Sequence, residues 1–263
     1  MNHLIVGMGE IGNAWYNVLT LSKENIVGVD LDKTKCKGTQ QTKVDVLHIC
    51  IPFTNHVSFE RTVLKYINDY APKETIIHSS VKPRTTEKIQ AKTETPLFYS
   101  PIRGVHSRMT NDMRYYTKYW TSDIGQTPDI YIQTLTECGV PARKWADNTK
   151  SLELAKLLMD VTYYGWLILF AQHVKVEAHR YGVDDQLLWN FTDEIHKKLG
   201  NRPRMFSGDG IGGHCVMQDK DLLTDPYLDS VFSYNEFYKK MIKEMKEDGR
   251  QKNNNMETQK GNL

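Results

Sequence analysis

Three glycines, spaced two and three residues apart, follow the first apolar segment of the chain. The segment His3–Val6 ends in a β-branched pair, which is typical of a buried parallel strand. Gly7 would let the chain turn sharply, Gly9 would let the backbone approach a pyrophosphate, and Gly12 would let a helix lie close to the sheet. Free N–H groups and the helix dipole favour phosphate there. The predicted dinucleotide-binding residues are Gly7, Met8, Gly9, Glu10, Ile11 and Gly12.

An acidic residue ends the second predicted strand, Ile26–Asp30. Asp30 lies 18 residues after Gly12, where a carboxylate accepts hydrogen bonds from ribose hydroxyls and repels a 2′-phosphate. The sequence therefore predicts NAD rather than NADP, a preference that nearby Lys33, Lys35 and Lys37 soften without reversing. The alternative is a glycine-rich turn that binds nothing.

The composition excludes several classes of protein. A net charge of +2 and a pI near 8.2 give no reason to expect nucleic acid or an anionic membrane as a partner. The four cysteines have no paired spacing, so reduced thiols in a cytosolic protein are expected, and the histidines have no metal-ligand spacing. The apolar run Val161–Ala171 is too short to span a bilayer. We therefore predict a soluble, cytoplasmic protein without a metal.

Alternating strand and helix patterns continue from Asp30 to about residue 150. Further strands are predicted at 44–52, 75–78, 96–101 and 142–145, with helices at 57–70, 85–92 and 128–138. Residues 102–126 have no firm assignment, although Tyr119–Ser122 could form a strand. The pattern predicts an α/β fold with a Rossmann-type doubly wound parallel sheet, in which ligands bind at the carboxyl edge. Pro52 and Ser80 would contact the cofactor at that edge, where Ser100-Pro101 also lies.

A helical domain is predicted over 151–247. It begins with one long central helix over 151–181, ended by Gly182, whose apolar middle should be buried on several sides. Helices over 184–199 and 230–247 follow, and residues 248–263 are predicted to be a disordered tail.

A second glycine-rich segment precedes Cys215. Backbone N–H groups there would lower the pKa of the thiol and favour the reactive thiolate. From the residues alone, inert packing remains the commoner role for a single cysteine. Cys36, Cys50 and Cys138 lack such surroundings and are interpreted as structural.

The sequence Gly212-Gly213-His214-Cys215, followed by Asp219, resembles the catalytic cysteine motif of the UDP-glucose/GDP-mannose dehydrogenase family. The histidine is similar to that of the UDP-N-acetylmannosamine dehydrogenase type. Three other segments are similar to the family's and occur in the same order: Ser79-Ser80-Val81 with Thr85-Thr86, Ser100-Pro101-Ile102-Arg103, and Glu153-Leu154-Ala155-Lys156.

The resemblance implies an NAD-dependent, four-electron oxidation of a sugar primary alcohol, in polysaccharide biosynthesis, by a homodimer formed through the 151–181 helix. Cys215 would carry a thiohemiacetal and then a thioester, Lys156 would stabilise the oxyanion, and Asp219 would activate water. Asp160 stands where the family has a catalytic asparagine. The residues implied to bind substrate are Arg103, Gly212, Gly213 and His214.

Four features depart from the family, of which Asp160 in place of the asparagine is one. Ile102 replaces a glutamate and cannot transfer a proton, and Gln218 replaces a lysine. The family's C-terminal nucleotide-binding domain is expected to be lacking, since only about forty residues follow Asp219. Two alternatives therefore stay open: a two-electron β-hydroxyacid-type dehydrogenase that uses Lys156 as acid/base on a smaller hydroxy acid, and a catalytically degenerate NAD-binding regulatory subunit.

Overall fold

The computed structural model describes residues 1–39, 43–104, 108–212, 216–217 and 219–260, with side chains described as far as Glu247. The chain divides into two compact units, Met1–Lys156 and Leu157–Leu263. The predicted division into domains at residue 150 stays a prediction.

The first unit contains a five-stranded parallel sheet with the strand order β2-β1-β3-β4-β5. Its strands are β1 (Asn2–Val6), β2 (Asn25–Val29), β3 (Val46–Ile49), β4 (Glu74–Ile77) and β5 (Leu97–Tyr99). The register places Ile5 beside both Gly28 and His48. The predicted fold class, a doubly wound parallel sheet followed by a helical region, is confirmed.

Helices cover both faces of this sheet. Successive strand residues point to opposite sides, so a separate core cluster lies on each face. Ile5 and Phe98 belong to one core cluster, while Leu4, Val6 and Ile77 belong to the other. The helices of this unit are α1 (Glu10–Leu19), α2 (His56–Tyr70), α3 (Thr85–Gln90), α4 (Met109–Tyr115), α5 (Asp129–Glu137) and α6 (Thr149–Leu157).

The segment without a firm prediction contains a short helix and a strand. Helix α4 precedes β6 (Lys118–Trp120), which pairs in parallel with β7 (Ala142–Lys144). An antiparallel bridge between Tyr99 and Thr121 links this pair to β5. Helix α4 has only seven residues, too few for its periodicity to be recognised from sequence.

The predicted long central helix contains a π-helical segment. Helix α6 continues as a π segment over Leu158–Tyr163 and then as α7 (Tyr164–Tyr181), which Gly182 ends in a left-handed conformation with φ of 66°. By length and composition alone, the whole helix, Thr149–Tyr181, could cross a membrane; a core helix of a soluble protein can pass the same test. The apolar run Val161–Ala171 is too short to span a bilayer by itself, but it is part of this 33-residue helix.

Among the described residues, helix α7 is covered over part of its surface. Gly165, Ala171 and Val176 are buried, and helix α9 (Pro226–Lys260) packs against α7. Trp166 and Phe170 are 38% and 54% exposed. The prediction that the middle of this helix is buried on several sides is therefore wrong for the single chain, because α8 (Asp185–Leu199) and α9 together leave part of it exposed.

Of the two remaining helices, the first lies close to its predicted bounds and the second extends well beyond them, so the prediction of a disordered tail is wrong as far as Lys260. Helix α8 (Asp185–Leu199) begins after Asp184, whose side chain accepts a hydrogen bond from Gln186 N–H. Helix α9 begins at Pro226 and extends to Lys260, into the segment predicted to be disordered. That segment lacks apolar periodicity, but it contains only one glycine and no proline up to Lys260, so nothing in it stops a helix.

Candidate functional site

The three glycines between β1 and α1 have three different structural roles. Gly7 has φ of +91°, and a Cβ there would lie 2.8 Å from the Cys50 carbonyl oxygen. A Cβ on Gly12 would lie 1.8 Å from the Gly7 carbonyl oxygen, so this helix start needs glycine for packing. A Cβ on Gly9 would meet no described atom within 4 Å. The fold thus requires glycine at positions 7 and 12, while the space above Gly9 is open to a ligand.

The open space adjoins the N-terminus of α1. Gly9 is the N-cap residue, and no side chain of the described residues caps this helix. Met8 is buried and its side chain lies against Gly28, so only its backbone faces this turn. Glu10 is exposed and Ile11 is partly buried. The uncapped N–H groups and the positive end of the helix dipole suit a phosphate group.

The Asp30 side chain, at the end of β2, holds this turn by hydrogen bonding. Its Oδ2 accepts a hydrogen bond from Met8 N–H at 2.7 Å, and its Oδ1 accepts one from Asp32 N–H at 3.0 Å. Each carboxylate oxygen has a further lone pair. Asp30 can therefore hold the glycine turn in place and still accept hydrogen bonds from ribose hydroxyls.

The end of β3 lies beside Gly7, and the segment after β4 is bonded to it, as the sequence predicts for the carboxyl edge. Cys50 N–H donates to the Val6 carbonyl, and Ser79 Oγ donates to the Ile51 carbonyl at 2.6 Å. The next residues along the chain are Pro52 and Ser80. Both predicted cofactor residues thus follow strands at this edge, and their role in binding stays a prediction.

Glu153 holds the start of α3 in position. In the sequence it is recognisable only as part of a motif. Its side chain is fully buried in α6 and accepts hydrogen bonds from Arg84 N–H at 2.6 Å, Thr86 N–H at 2.9 Å and the Thr86 hydroxyl at 2.7 Å. Burial raises the pKa of Glu153 from 4.5 to about 7. The carboxyl group fixes the start of α3 relative to α6, and so holds the segment after β4.

Lys156, one turn further along α6, contacts the loop after β5. Its Nζ donates to the Ile102 carbonyl oxygen at 2.8 Å. The Ile102 side chain is buried in the core, which explains why an apolar residue is stable at this position. The predicted oxyanion-stabilising ammonium is thus fixed at the loop that contains Ile102.

Arg103 supports the same loop from the other side. Its guanidinium donates to the Thr117 carbonyl at 2.8 Å and lies over the ring of Tyr119, 5.2 Å from its centroid. These contacts give Arg103 a structural role that does not depend on the predicted binding of substrate.

The remaining predicted catalytic residues belong to the second unit. Asp160 lies in the π segment, a feature often found at functional sites. Asp219 occupies the N-cap position of a 3₁₀ helix over Lys220–Leu222. Gly213, His214, Cys215 and Gln218 lie outside the described residues, so the predicted roles of the cysteine motif stay predictions.

The described part of the cysteine loop is held by α9. Ile211 is buried; its N–H donates to Asn235 Oδ1 at 2.7 Å, and its carbonyl accepts from Asn235 Nδ2 at 3.0 Å. Gln172 Nε2 of α7 donates to the same Asn235 oxygen at 3.0 Å, and the Tyr238 hydroxyl donates to the Gly208 carbonyl. Asn235 therefore positions the glycine-rich segment that leads to exposed Gly212. No periodicity or motif in the sequence singles out this residue.

A metal site was not expected from the histidine spacing. In the described part of the chain, no group of three His, Cys, Asp or Glu side chains could hold a metal ion. The architecture instead provides a dinucleotide-type turn, an acidic residue at the end of β2, and a lysine at the loop after β5.

Comparisons with known proteins agree with this architecture. No family model matches the sequence, and no curated protein matches it. Among solved structures, a UDP-D-ManNAc dehydrogenase from Pyrococcus horikoshii has a TM-score of 0.78 at 19% identity, covering 97% of this chain and 72% of its own.

Two further structures are similar over 90% of this chain. GDP-mannose dehydrogenase from Pseudomonas aeruginosa has a TM-score of 0.63 at 18% identity, covering 69% of its own chain. The 3-hydroxyisobutyrate dehydrogenase from Mycobacterium tuberculosis has a TM-score of 0.70 at 14% identity, covering 93% of its own chain. At these identities the likeness establishes the fold, and the predicted resemblance to the nucleotide-sugar dehydrogenases is confirmed at that level.

Proposed function

We propose that this chain is an NAD-dependent dehydrogenase that oxidises the primary alcohol of a sugar. The observation that carries the proposal is the turn between β1 and α1, where the space above Gly9 is open and Asp30 lies at the end of β2. Glycines that the fold requires at positions 7 and 12 cannot distinguish an empty turn from a binding site. The open space at Gly9 is what favours a ligand, because packing gives no reason for glycine there.

The glycine turn and Asp30 would hold NAD, which would supply the oxidant; two NAD molecules, bound in turn, would each take up one hydride. In the first step the alcohol loses a hydride and a proton and becomes an aldehyde. The Cys215 thiolate then adds to the aldehyde carbon, and a second hydride leaves the thiohemiacetal to give a thioester. Water attacks the thioester with help from Asp219, which releases the acid and restores the thiol. Lys156 would stabilise the oxyanions, and Asp160 would assist from the π segment.

The substrate class rests on the structural neighbours that are named for nucleotide sugars. This chain spans 72% and 69% of those proteins, so a nucleotide sugar is a proposal, with a smaller sugar alcohol as the other option. Arg103, Gly212, Gly213 and His214 would contact the substrate. We also propose a homodimer, because Trp166 and Phe170 leave apolar surface exposed on the helix that the resemblance assigns to dimerisation. A soluble, cytoplasmic location is proposed from the cysteines, whose spacing suits reduced thiols.

A second candidate function is two-electron oxidation of a β-hydroxy acid. The observation that favours it is the 3-hydroxyisobutyrate dehydrogenase, of which this chain covers 93%. In this reaction Lys156 would act as acid/base and Cys215 would have no chemical role. The buried Ile102, where the family has a glutamate, is also compatible with this shorter reaction.

The experiment is NADH formation by the purified chain at 340 nm, with UDP-N-acetylmannosamine, UDP-glucose, GDP-mannose and 3-hydroxyisobutyrate. The proposal expects two NADH per nucleotide sugar, and loss of the acid product in Cys215→Ser. Cys138→Ala is the matched control, because the buried Cys138 thiol lies 3.9 Å from the Leu19 carbonyl at the far end of α1 from the glycine turn. One NADH per hydroxy acid, unchanged by Cys215→Ser, would support the second candidate. Binding of NAD without reduction by any substrate would indicate a regulatory subunit.

A further inference from the structure

Three buried histidines form a continuous chain across one face of the sheet in the first unit. His3 of β1 and His48 of β3 are joined by a contact of 3.0 Å between Nδ1 and Nε2. His48 Nδ1 in turn lies 3.0 Å from Nε2 of His78, the residue that follows β4. Both ring pairs are stacked with centroids 5.3 Å apart, and the three residues are at most 1% exposed.

One end of the chain reaches an acidic residue. His3 Nε2 lies 2.8 Å from Glu24 Oε2 and 3.3 Å from Thr134 Oγ1. The Thr134 hydroxyl donates its own proton to the Ile130 carbonyl, so toward His3 its oxygen is an acceptor. Glu24 also pairs with the α-ammonium group of Met1 at 3.3 Å. Two acceptors therefore require a proton on His3 Nε2.

The other end reaches a buried lysine at the carboxyl edge. His78 Nδ1 lies 2.8 Å from the Ser100 carbonyl oxygen and 3.3 Å from Lys118 Nζ. Lys118 is only 4% exposed, and its Nζ donates to the Ser100 carbonyl at 2.6 Å and to the Pro101 carbonyl at 2.8 Å. These carbonyls immediately precede that of Ile102, which accepts from Lys156.

The hydrogen bonds determine how many protons the chain holds. A neutral His3 with its proton on Nε2 must accept at Nδ1, so His48 donates from Nε2. A neutral His48 then accepts at Nδ1, where Trp15 Nε1 also donates at 3.2 Å. His78 must therefore donate from Nε2.

The contact between His78 and Lys118 requires one proton more than a neutral imidazole and a neutral amine supply. Either Lys118 is an ammonium that donates to His78 Nδ1, or Lys118 is neutral and His78 is an imidazolium that donates to the Ser100 carbonyl. In both arrangements every N–H between the rings points toward Glu24.

We propose that His78, His48 and His3 form a proton relay between Lys118 at the carboxyl edge and Glu24. When Lys118 gives a proton to His78 Nδ1, each ring passes its Nε2 proton to the next acceptor, and the last proton reaches the Glu24 carboxylate. Lys118 ends as a neutral amine, the three rings end as the opposite neutral tautomers, and Glu24 ends as a carboxylic acid. In that state His48 Nδ1 carries a proton and no longer accepts from Trp15 Nε1, so the rings must return to their first tautomers before a second proton can pass. No electrons are transferred, and Glu24 gives up the proton beside the partly exposed α-ammonium group of Met1.

The surroundings of the three histidines and Lys118 favour transfer of the proton, because none of these groups is a stable site for its positive charge. Burial lowers the pKa of His48, His78 and Lys118 well below their usual values, so no one of them holds the proton strongly. Lys156 and Arg103 further lower the pKa of Lys118, while Glu24 and Asp45 act in the opposite direction on His3. Trp15 and Tyr131, both fully buried, pack against the central rings and keep water from them.

The use of this relay rests on the proposed function. Each oxidation of an alcohol by NAD releases one proton together with the hydride. The Lys118 end lies under the Ser100–Ile102 loop, to which Lys156 is also bonded, so the relay begins beside a proposed catalytic group. A proton released there would leave through the body of the sheet to the N-terminal end of β1.

The proton count is tested without any substrate, by NMR of the whole chain labelled with ¹⁵N-histidine. We expect two N–N couplings across hydrogen bonds, His3–His48 and His48–His78. We also expect Glu24→Gln to move the ¹⁵N shifts of all three rings, including distant His78. Absence of either coupling, or a change confined to His3, would overturn the relay. The exposed His179 provides a control, since His179→Gln should leave all three rings unchanged.

The coupling to turnover is tested by proton inventory in mixtures of H₂O and D₂O. We expect the rate of NADH formation to depend non-linearly on the deuterium fraction of the solvent, both in the wild type and in His179→Gln. His48→Gln should lower the rate about tenfold or more, leave NAD affinity unchanged and make the dependence linear. A curved dependence that survives in His48→Gln would overturn the relay. Intact couplings in a chain that reduces no NAD would instead count against the proposed function.

Discussion

The buried carboxyl group of Glu153 predicts an unusual dependence of stability on pH. Three hydrogen bonds from Arg84 and Thr86 lower the pKa of this group, but burial dominates and raises it from 4.5 to about 7. At about 1.4 kcal/mol for each pH unit, ionisation of Glu153 costs the folded state about 3 kcal/mol. Because the pKa is raised on folding, its contribution to stability is fully present below pH 4.5 and is lost as the pH rises through about 7.

The test is urea unfolding of the wild type and of Glu153→Gln between about pH 5 and pH 8. The amide cannot ionise, so the wild type should lose about 2–3 kcal/mol of stability relative to the variant over this range. Other buried groups titrate equally in both proteins and cancel in the difference. Glu87→Gln, at an exposed position in α3, is the matched control and should show no such difference.

A pH-independent difference between wild type and Glu153→Gln would refute this reasoning. A wild type that gains stability over the variant as the pH rises would refute it more strongly. That result would mean that the three hydrogen bonds to the carboxylate outweigh the cost of its burial.

Three further substitutions test the positioning of the site. Gly12→Ala would place a Cβ 1.8 Å from the Gly7 carbonyl oxygen, so we expect a loss of about 3 kcal/mol or more, visible as a lower Tm by circular dichroism; an unchanged Tm would contradict the packing. Asp30→Ala removes the acceptor of the Met8 N–H, and should weaken NAD about tenfold while reducing discrimination against NADP, as calorimetry would measure. Asn235→Ala leaves buried polar groups of Ile211 unpaired and should cost about 1–3 kcal/mol in urea unfolding; equal stability would disprove the anchoring.

Hydrophobic periodicity and turn chemistry were sufficient to predict the parallel sheet and the helices that alternate with its strands. The buried strands have nearly continuous apolar sequences, and Gly7, Gly12 and Asp30 are required by local geometry at the end of β1 and β2. Such local constraints can be recognised from sequence, because each is satisfied within a few residues or by the neighbouring strand.

Long-range polar contacts could not be predicted in the same way. Glu153 meets Thr86 across 67 residues of sequence, and Asn235 meets Ile211 across 24. The histidine chain joins residues that are 45 and 30 positions apart, and histidine in a strand has no periodic signal. The π segment was likewise missed, because one extra residue in a helical turn leaves the surrounding apolar pattern almost unchanged.

The proposed cofactor site is tested most directly by calorimetric titration of NAD into the wild type and into Gly9→Val. Since a Cβ at position 9 meets no described atom within 4 Å, the substitution should preserve the fold while filling the space that a pyrophosphate needs. Valine is a poorer N-cap than glycine, so a loss of about 1 kcal/mol in stability is expected. The account predicts that the wild type binds NAD, and that Gly9→Val loses at least tenfold in affinity with only a small decrease in Tm. Failure of the wild type to bind NAD, or equal affinity in Gly9→Val, would contradict it.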